Sequence, residues 1–136
     1  MKEIKASLDQ LKTVVGFLEA HLPQNCIVFL HGDLAAGKTT LTQAIAKSRG
    51  VEEEVTSPTF SLQHCYGKNL YHYDLYRLDY ETFMQMGLLE EFEKEGWHIV
   101  EWGSEALWNF LKSVGFETAS VSIKPDNESR IYRIEI

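Results

Sequence analysis

Long apolar runs are missing from this chain of 136 residues. The longest, Cys26 to Leu30, has five residues, whereas a membrane-spanning helix needs about twenty. The first residues, Met1-Lys2-Glu3-Ile4-Lys5, hold neither an apolar signal core nor a small-residue cleavage site. Cysteine is scarce. Cys26 and Cys65 fall in separate candidate strands without C-x-x-C spacing, which excludes a disulfide framework and predicts two buried, reduced thiols in a cytoplasmic protein. Proline is limited to three residues, and no repeat, low-complexity tract or Pro/Ser-rich linker interrupts the chain. A single domain over residues 1–136 is expected. Positive charge is also short: 13 Lys and Arg stand against 20 Asp and Glu, a net charge of −7. The basic residues are scattered, so a direct, sequence-independent grip on nucleic acid is excluded. The acidic stretch from Glu90 to Glu105 reads either as a solvated helix face or as a docking face for a basic protein partner. The five histidines show no H-E-x-x-H or paired ligand spacing, so zinc is not expected. No G-x-S-x-G and no Ser/His/Asp constellation occurs.

What is present is an ordinary globular composition, 44% hydrophobic, with alternating element types. Leu8, Leu11, Val15, Leu18 and Leu22 form one helical stripe, opened by a capping box at Ser7 and Gln10 and followed by Pro23. Cys26 to His31 reads as a buried strand and Thr39 to Arg49 as a helix stopped by Gly50. Phe60 to Tyr66 and Leu70 to Leu75 flank Gly67-Lys68-Asn69 as a hairpin. Glu81 to Glu95 looks helical, with a break at Gly87. Trp97 to Val100 is a second buried strand ending at Glu101. Ser104 to Ser113 predicts a helix closed by Gly115. Thr118 to Lys124 and Ser129 to Ile136 alternate around Pro125-Asp126-Asn127 as a terminal hairpin. This order predicts an α/β three-layer sandwich of the P-loop NTPase kind. Its sheet is mixed, because two antiparallel hairpins join it, and helices flank it.

One loop carries chemistry. Gly32-Asp33-Leu34-Ala35-Ala36-Gly37-Lys38-Thr39 fits G-x-x-x-x-G-K-[ST] at every fixed position. Gly32 lets the strand turn sharply, and Gly37 lets backbone N–H groups approach phosphate oxygens that a Cβ would obstruct. The N–H groups make an anion nest at the positive end of the next helix. Lys38 neutralises the β- and γ-phosphates of ATP, and the Thr39 hydroxyl is a hard ligand for Mg²⁺. A second metal ligand belongs at the end of a neighbouring buried strand. Glu101 and Asp74 are both candidates there. Ser57-Pro58-Thr59 is either a plain loop or a segment that senses the γ-phosphate through the Thr59 hydroxyl. No clear arginine finger is evident. Arg77, Arg130 and Arg133 are the candidates, each equally readable as a structural arginine. The adenine contacts have no motif; the first helix and the last hairpin are candidates.

Several segments together resemble one family. Gly32 to Thr40 is similar to its GDLGAGKTT loop, and Ser57-Pro58-Thr59-Phe60 to its SPTF/Y segment. His72-Tyr73-Asp74-Leu75-Tyr76-Arg77-Leu78 resembles HxDLYRL, and Val100-Glu101-Trp102 resembles VEW. By these segments, over about residues 26 to 105, the chain resembles the TsaE family of bacterial P-loop ATPases. The resemblance implies a role in forming N6-threonylcarbamoyladenosine in tRNA, with TsaD and TsaB as partners. TsaD transfers the threonylcarbamoyl group, and the ATPase resets or regulates the assembly. Contact with tRNA would be indirect, through those partners, which suits the acidic charge. Carried over by motif, the loop Gly32, Asp33, Leu34, Ala35, Ala36, Gly37, Lys38, Thr39 and Thr40 binds nucleotide, with Trp102 lining the site. Thr39 and Glu101 ligate Mg²⁺. Lys38, Glu101, Asp74 and Thr59 form the catalytic group, with Asp74 positioning water and Thr59 as the switch threonine. Ala35 stands where the family usually has Gly. Two rival readings use the same loop: a nucleotide-gated binding module with incidental hydrolysis, and a small-molecule kinase.

Overall fold

The computed structural model describes residues 1–33, 37–51, 62–76 and 78–136. Strand β1 (Lys2–Ser7) leads through a 3₁₀ turn (Leu8–Gln10) into α1 (Leu11–His21), then β2 (Cys26–His31) and α2 (Lys38–Ser48). The hairpin β3 (Gln63–Tyr66) and β4 (Leu70–Asp74) comes next, then α3 (Tyr80–Gln85) and a second 3₁₀ segment (Leu88–Glu93). Strand β5 (Trp97–Glu101), α4 (Glu105–Ser113) and the hairpin β6 (Thr118–Asp126) and β7 (Ser129–Glu135) complete the chain. Among the described residues, seven strands form one mixed sheet in the order β1-β7-β6-β2-β5-β4-β3. Strands β4, β5, β2 and β6 are parallel to one another at the centre; the two hairpins and β1 add antiparallel edges.

Two apolar cores make the three layers. On one face, Leu11, Val14, Val15 and Leu18 of α1 and Leu41 and Ile45 of α2 pack on Val28, Leu30 and Ile99. On the other, Phe83, Phe92, Leu107 and Leu111 pack on Ile27, Phe29, Tyr73 and Val100. Every residue of β5 is buried, as is β2 from Cys26 to Leu30. Helices covering both faces of a parallel sheet require such unbroken apolar runs. The fold expected from the sequence is therefore the one observed, with the same order of strands and helices from Cys26 onward.

Several local expectations need correction. Residues 2–7, for which the sequence pattern predicts no element, form an edge strand, Lys2–Ser7, paired with β7. Its charged, weakly β-forming composition hid it, because the pairing comes from tertiary context rather than propensity. The helix expected from Leu8 begins at Leu11; Leu8 sits in the 3₁₀ turn and is 67% exposed. The expected capping box at Ser7 and Gln10 is present, with the Ser7 N–H donating to Gln10 Oε1 at 3.1 Å. Gly87 does break the 81–95 segment, with φ 74°. Beyond it the chain forms a 3₁₀ segment rather than an α-helix, with Leu88 and Leu89 packed on the second core and Met86 exposed. Cys26 is buried as expected, whereas Cys65 is exposed on the edge strand β3. The last hairpin turns one step later than Pro125-Asp126-Asn127. Asp126 pairs with Ser129, leaving Asn127 and Glu128 as the loop, with Asn127 at φ 57°, a conformation that Asn tolerates.

A buried polar chain braces the second core. The Gln63 amide donates to the Tyr73 hydroxyl at 3.0 Å, Tyr73 donates to His98 Nδ1 at 2.7 Å, and His98 Nε2–H donates to the Lys94 carbonyl at 2.8 Å. This pattern needs a neutral imidazole. Burial pushes the His98 pKa below its usual 6.5. The unfolded chain therefore binds this proton more readily, and the stabilisation is complete above about pH 6.5 and is lost as pH falls through the folded value. The wild-type denaturation midpoint should fall between about pH 7.5 and about pH 5.5, and His98→Gln should show a shallower fall. Equal pH slopes for the two proteins would contradict this account of His98.

Candidate functional site

The alternation of side chains along each strand selects one end and one face of the sheet. On β4, Leu70 packs in the α1/α2 core and His72 and Asp74 come after it at steps of two; on β5, Ile99 packs in the same core and Glu101 comes two residues later. Asp74 and Glu101 are register partners across the parallel β4–β5 pair. Two carboxylates thus end side by side on the face that carries α2. The Leu75 N–H donates to the Glu101 carbonyl at 3.0 Å, and Asp74 Oδ1 accepts from the Tyr76 N–H at 3.0 Å, which fixes both strand ends.

Opposite them lies the start of α2. Gly37 caps the helix at φ 106°. A Cβ built there would fall 2.3 Å from Nη1 of Arg130. Lys38, the first helical residue, is 4% exposed. Its Nζ donates to the Gly32 carbonyl at 2.8 Å and stands 3.7 Å from the centroid of the Trp102 ring. Burial is the larger influence on Lys38 and lowers its pKa; the Glu101, Asp74 and Asp33 carboxylates oppose it, in that order. Thr39 and Thr40 lie in the first turn of α2, and Thr40 is half-buried. Trp102 adopts φ 61°, a left-handed conformation uncommon for a bulky residue, and its ring meets Tyr76 edge-on at 5.0 Å. Backbone outliers of this sort gather at functional sites.

The structure therefore brings together Gly32, Asp33, Gly37, Lys38, Asp74, Glu101 and Trp102 from segments far apart in sequence, with Thr39 and Thr40 on the adjoining helical turn. Leu34, Ala35, Ala36, Thr59 and Arg77 lie outside the described residues. Two further residues join the site. His72 is wholly buried, and its Nε2–H donates to Oε2 of Glu101. Arg130 reaches Gly37 from β7, where its one-in-two alternation with Tyr132 and Ile134 points it to the α2 face. Arg133 has the opposite parity and pairs with Glu3 across β1–β7 at 3.0 Å. Strand periodicity in the last hairpin was the signal that separates the two arginines. Strand β6 also runs past His31, whose pairing partner is Ser122, so the hairpin end overhangs the loop.

The donor set suits Mg²⁺. Thr39, Asp74 and Glu101 offer hard oxygens, and among the described residues no group of three or more His, Cys, Asp or Glu could hold a metal by itself. Mg²⁺ is typically held by one or two side chains, with phosphates and water completing its shell.

A family model described as "Threonylcarbamoyl adenosine biosynthesis protein TsaE" matches residues 5–133. The chain belongs to the TsaE family. Among curated relatives, the protein named tRNA threonylcarbamoyladenosine biosynthesis protein TsaE from Treponema pallidum is 45% identical over 94 residues, covering 67% of each chain. The one from Rickettsia prowazekii is 34% identical over 134 residues, 94% of this chain and 90% of its own. The Haemophilus influenzae protein is 40% identical over 92 residues, 65% of this chain, but the match spans 58% of that relative's length. The crystal structure of Bacillus subtilis YdiB superposes with a TM-score of 0.63 at 26% identity, covering 96% of this chain and 83% of that one. Within this TsaE-family chain no helix among the described residues is long and apolar enough to cross a membrane.

Gly37→Ala should destabilise the protein by about 1–3 kcal/mol in urea unfolding, because φ 106° is closed to an L side chain. Adding Arg130→Ala should recover a minor part, since a guanidinium can move aside and the backbone cannot. Complete recovery in the double variant would show that the contact, not the dihedral, sets the cost.

Proposed function

We propose that this chain is a Mg²⁺-dependent ATPase acting in the formation of N6-threonylcarbamoyladenosine in tRNA, together with TsaD and TsaB. The observation that carries the reading is the placement of Lys38 at the start of α2, facing the register-paired Asp74 and Glu101. Such a lysine, helix start and pair of carboxylates is what an incoming triphosphate and its metal require. The first N–H groups of α2 and Lys38 hold the phosphates, and the absence of a side chain at Gly37 leaves room for the Arg130 guanidinium beside them. Thr39 and Glu101 hold Mg²⁺, which neutralises charge on the phosphates when bound. Asp74 accepts a hydrogen bond from the attacking water and orients it in line with the γ-phosphate. Thr59 is proposed to sense that phosphate, and Trp102 to line the site. Among the described arginines, Arg130, beside Gly37, is the one whose position best suits a phosphate contact. The 3₁₀ turn Leu8–Gln10 ends a strand whose Ser7 pairs with Ser129, so both adenine-side candidates lie at this end of the sheet. The acidic surface fits indirect contact with tRNA through the partners.

A second reading, the nucleotide-gated module, draws on a specific contact. Lys38 stacks on Trp102, and Trp102 touches Tyr76, which is 60% exposed. Drawing Lys38 towards a phosphate would free the Trp102 ring, and a partner resting on Tyr76 would feel the change without hydrolysis.

The test is phosphate release from Mg-ATP by the chain alone and with purified TsaB–TsaD. Slow basal release, stimulation by the partners and a loss of about a hundredfold or more in Lys38→Ala are expected. Retained binding of ATP with no phosphate release above background in either condition would favour the gated module. Release insensitive to Lys38→Ala would contradict both.

A further inference from the structure

His72 is the least explained residue around the site. It lies mid-strand on β4, wholly buried, with Leu70 before it and Ile99 beside it on the neighbouring strand. An apolar side chain would be the ordinary occupant of that position. The imidazole instead splits into two unlike halves. Its Nε2–H donates to Oε2 of Glu101, while Nδ1 has no hydrogen-bond partner among the described residues. A buried nitrogen without a partner is unfavourable, so packing and polar satisfaction do not account for a histidine here. The Nε2 contact does.

Glu101 has two attractors. One is His72; the other is the Lys38 ammonium, whose charge interacts with Glu101 more strongly than with Asp74 or Asp33. A carboxylate beside a lysine will swing towards it unless something holds it back. We infer that His72 is a positioning residue: its Nε2–H anchors Oε2 of Glu101 so that Oε1 stays turned to the Mg²⁺ position rather than to Lys38. This rests on the proposed role of Glu101 toward the metal. Hydrogen-bonded supports of metal ligands ordinarily change metal affinity by about 10–100-fold when lost.

The test compares amides of different reach. In His72→Gln the side-chain amide extends as far as the imidazole Nε2 and can donate to Glu101; in His72→Asn it falls short. Binding of a fluorescent ADP analogue is titrated with Mg²⁺, and Mn²⁺ binding to the nucleotide complex is read by electron paramagnetic resonance. We expect affinity in EDTA to stay within about twofold of wild type in both variants, and the half-saturating Mg²⁺ to rise about 10–100-fold in His72→Asn. His72→Gln should recover most of that rise. His72→Leu, which fills a similar volume without a donor, should repeat the Asn result, so a folding defect in one variant leaves the comparison intact. Folded Asn and Leu variants with wild-type Mg²⁺ dependence would overturn the inference, as would equal defects in Gln and Asn. Glu101→Gln separates this from the underlying reading. If it too leaves the Mg²⁺ dependence unchanged, the role of Glu101 falls; if it alone raises the requirement, only the role of His72 falls.

Discussion

An ammonium group loses its hydration when buried, and it stays charged only if nearby oxygens replace the water. Lys38 is in that position. Its head group is satisfied by the Gly32 carbonyl and the Trp102 ring, and electrostatically by Glu101, Asp74 and Asp33. The rest of the site can be understood from this constraint. Gly32 must face a residue six positions later. Two strands must end level so that their carboxylates share one lysine. Trp102 must take a left-handed backbone conformation to lay its ring on the ammonium. Like charges side by side at Asp74 and Glu101 would repel, and Lys38 is the counter-charge that makes the pair tolerable.

The sheet supplies the accuracy. A slip of one residue between β4 and β5 would turn Glu101 away from α2 and into the aromatic core around Phe83 and Phe92. That slip is prevented by the burial of both faces of β5, where Trp97 and Ile99 fill one core and Val100 the other. The Trp97 indole N–H donates to the Pro23 carbonyl at 3.0 Å, and the Gly96 N–H donates to Asn25 Oδ1 at 2.8 Å, pinning the start of the same strand. Packing far from the chemistry thus sets where the carboxylates emerge.

Much of this was legible in the sequence. The loop from Gly32 to Thr39 has fixed spacing, and the runs at Cys26–Leu30 and Trp97–Val100 are too apolar to be anything but interior. The end of the second run pointed to Glu101, the end of the less apolar strand Leu70 to Tyr73 pointed to Asp74, and the motif resemblance gave each a role. What escaped has a common physical cause: it depends on pairing that no local pattern encodes. Strand β1 is charged and forms because β7 offers a free edge. Arg130 and Arg133 look alike until the register of the last hairpin assigns them to opposite faces. His72 reads as one more polar residue in a hairpin until β4 is found to be an interior strand, between β3 and β5. The exposure of Cys65 has the same origin, since β3 is an edge and β4 is not.

The central claim is that Lys38, the helix start at Gly37 and the Asp74–Glu101 pair form one site for a metal-bound triphosphate. A crystal structure of the chain with Mg²⁺ and a non-hydrolysable ATP analogue tests it directly. The account predicts the β- and γ-phosphates over the first turn of α2, Lys38 Nζ moved from Gly32 and Trp102 to phosphate oxygens, and the metal between Thr39 and Glu101. Phosphates seated elsewhere, with Lys38 still on Trp102 and Glu101 remote from the metal, would contradict it.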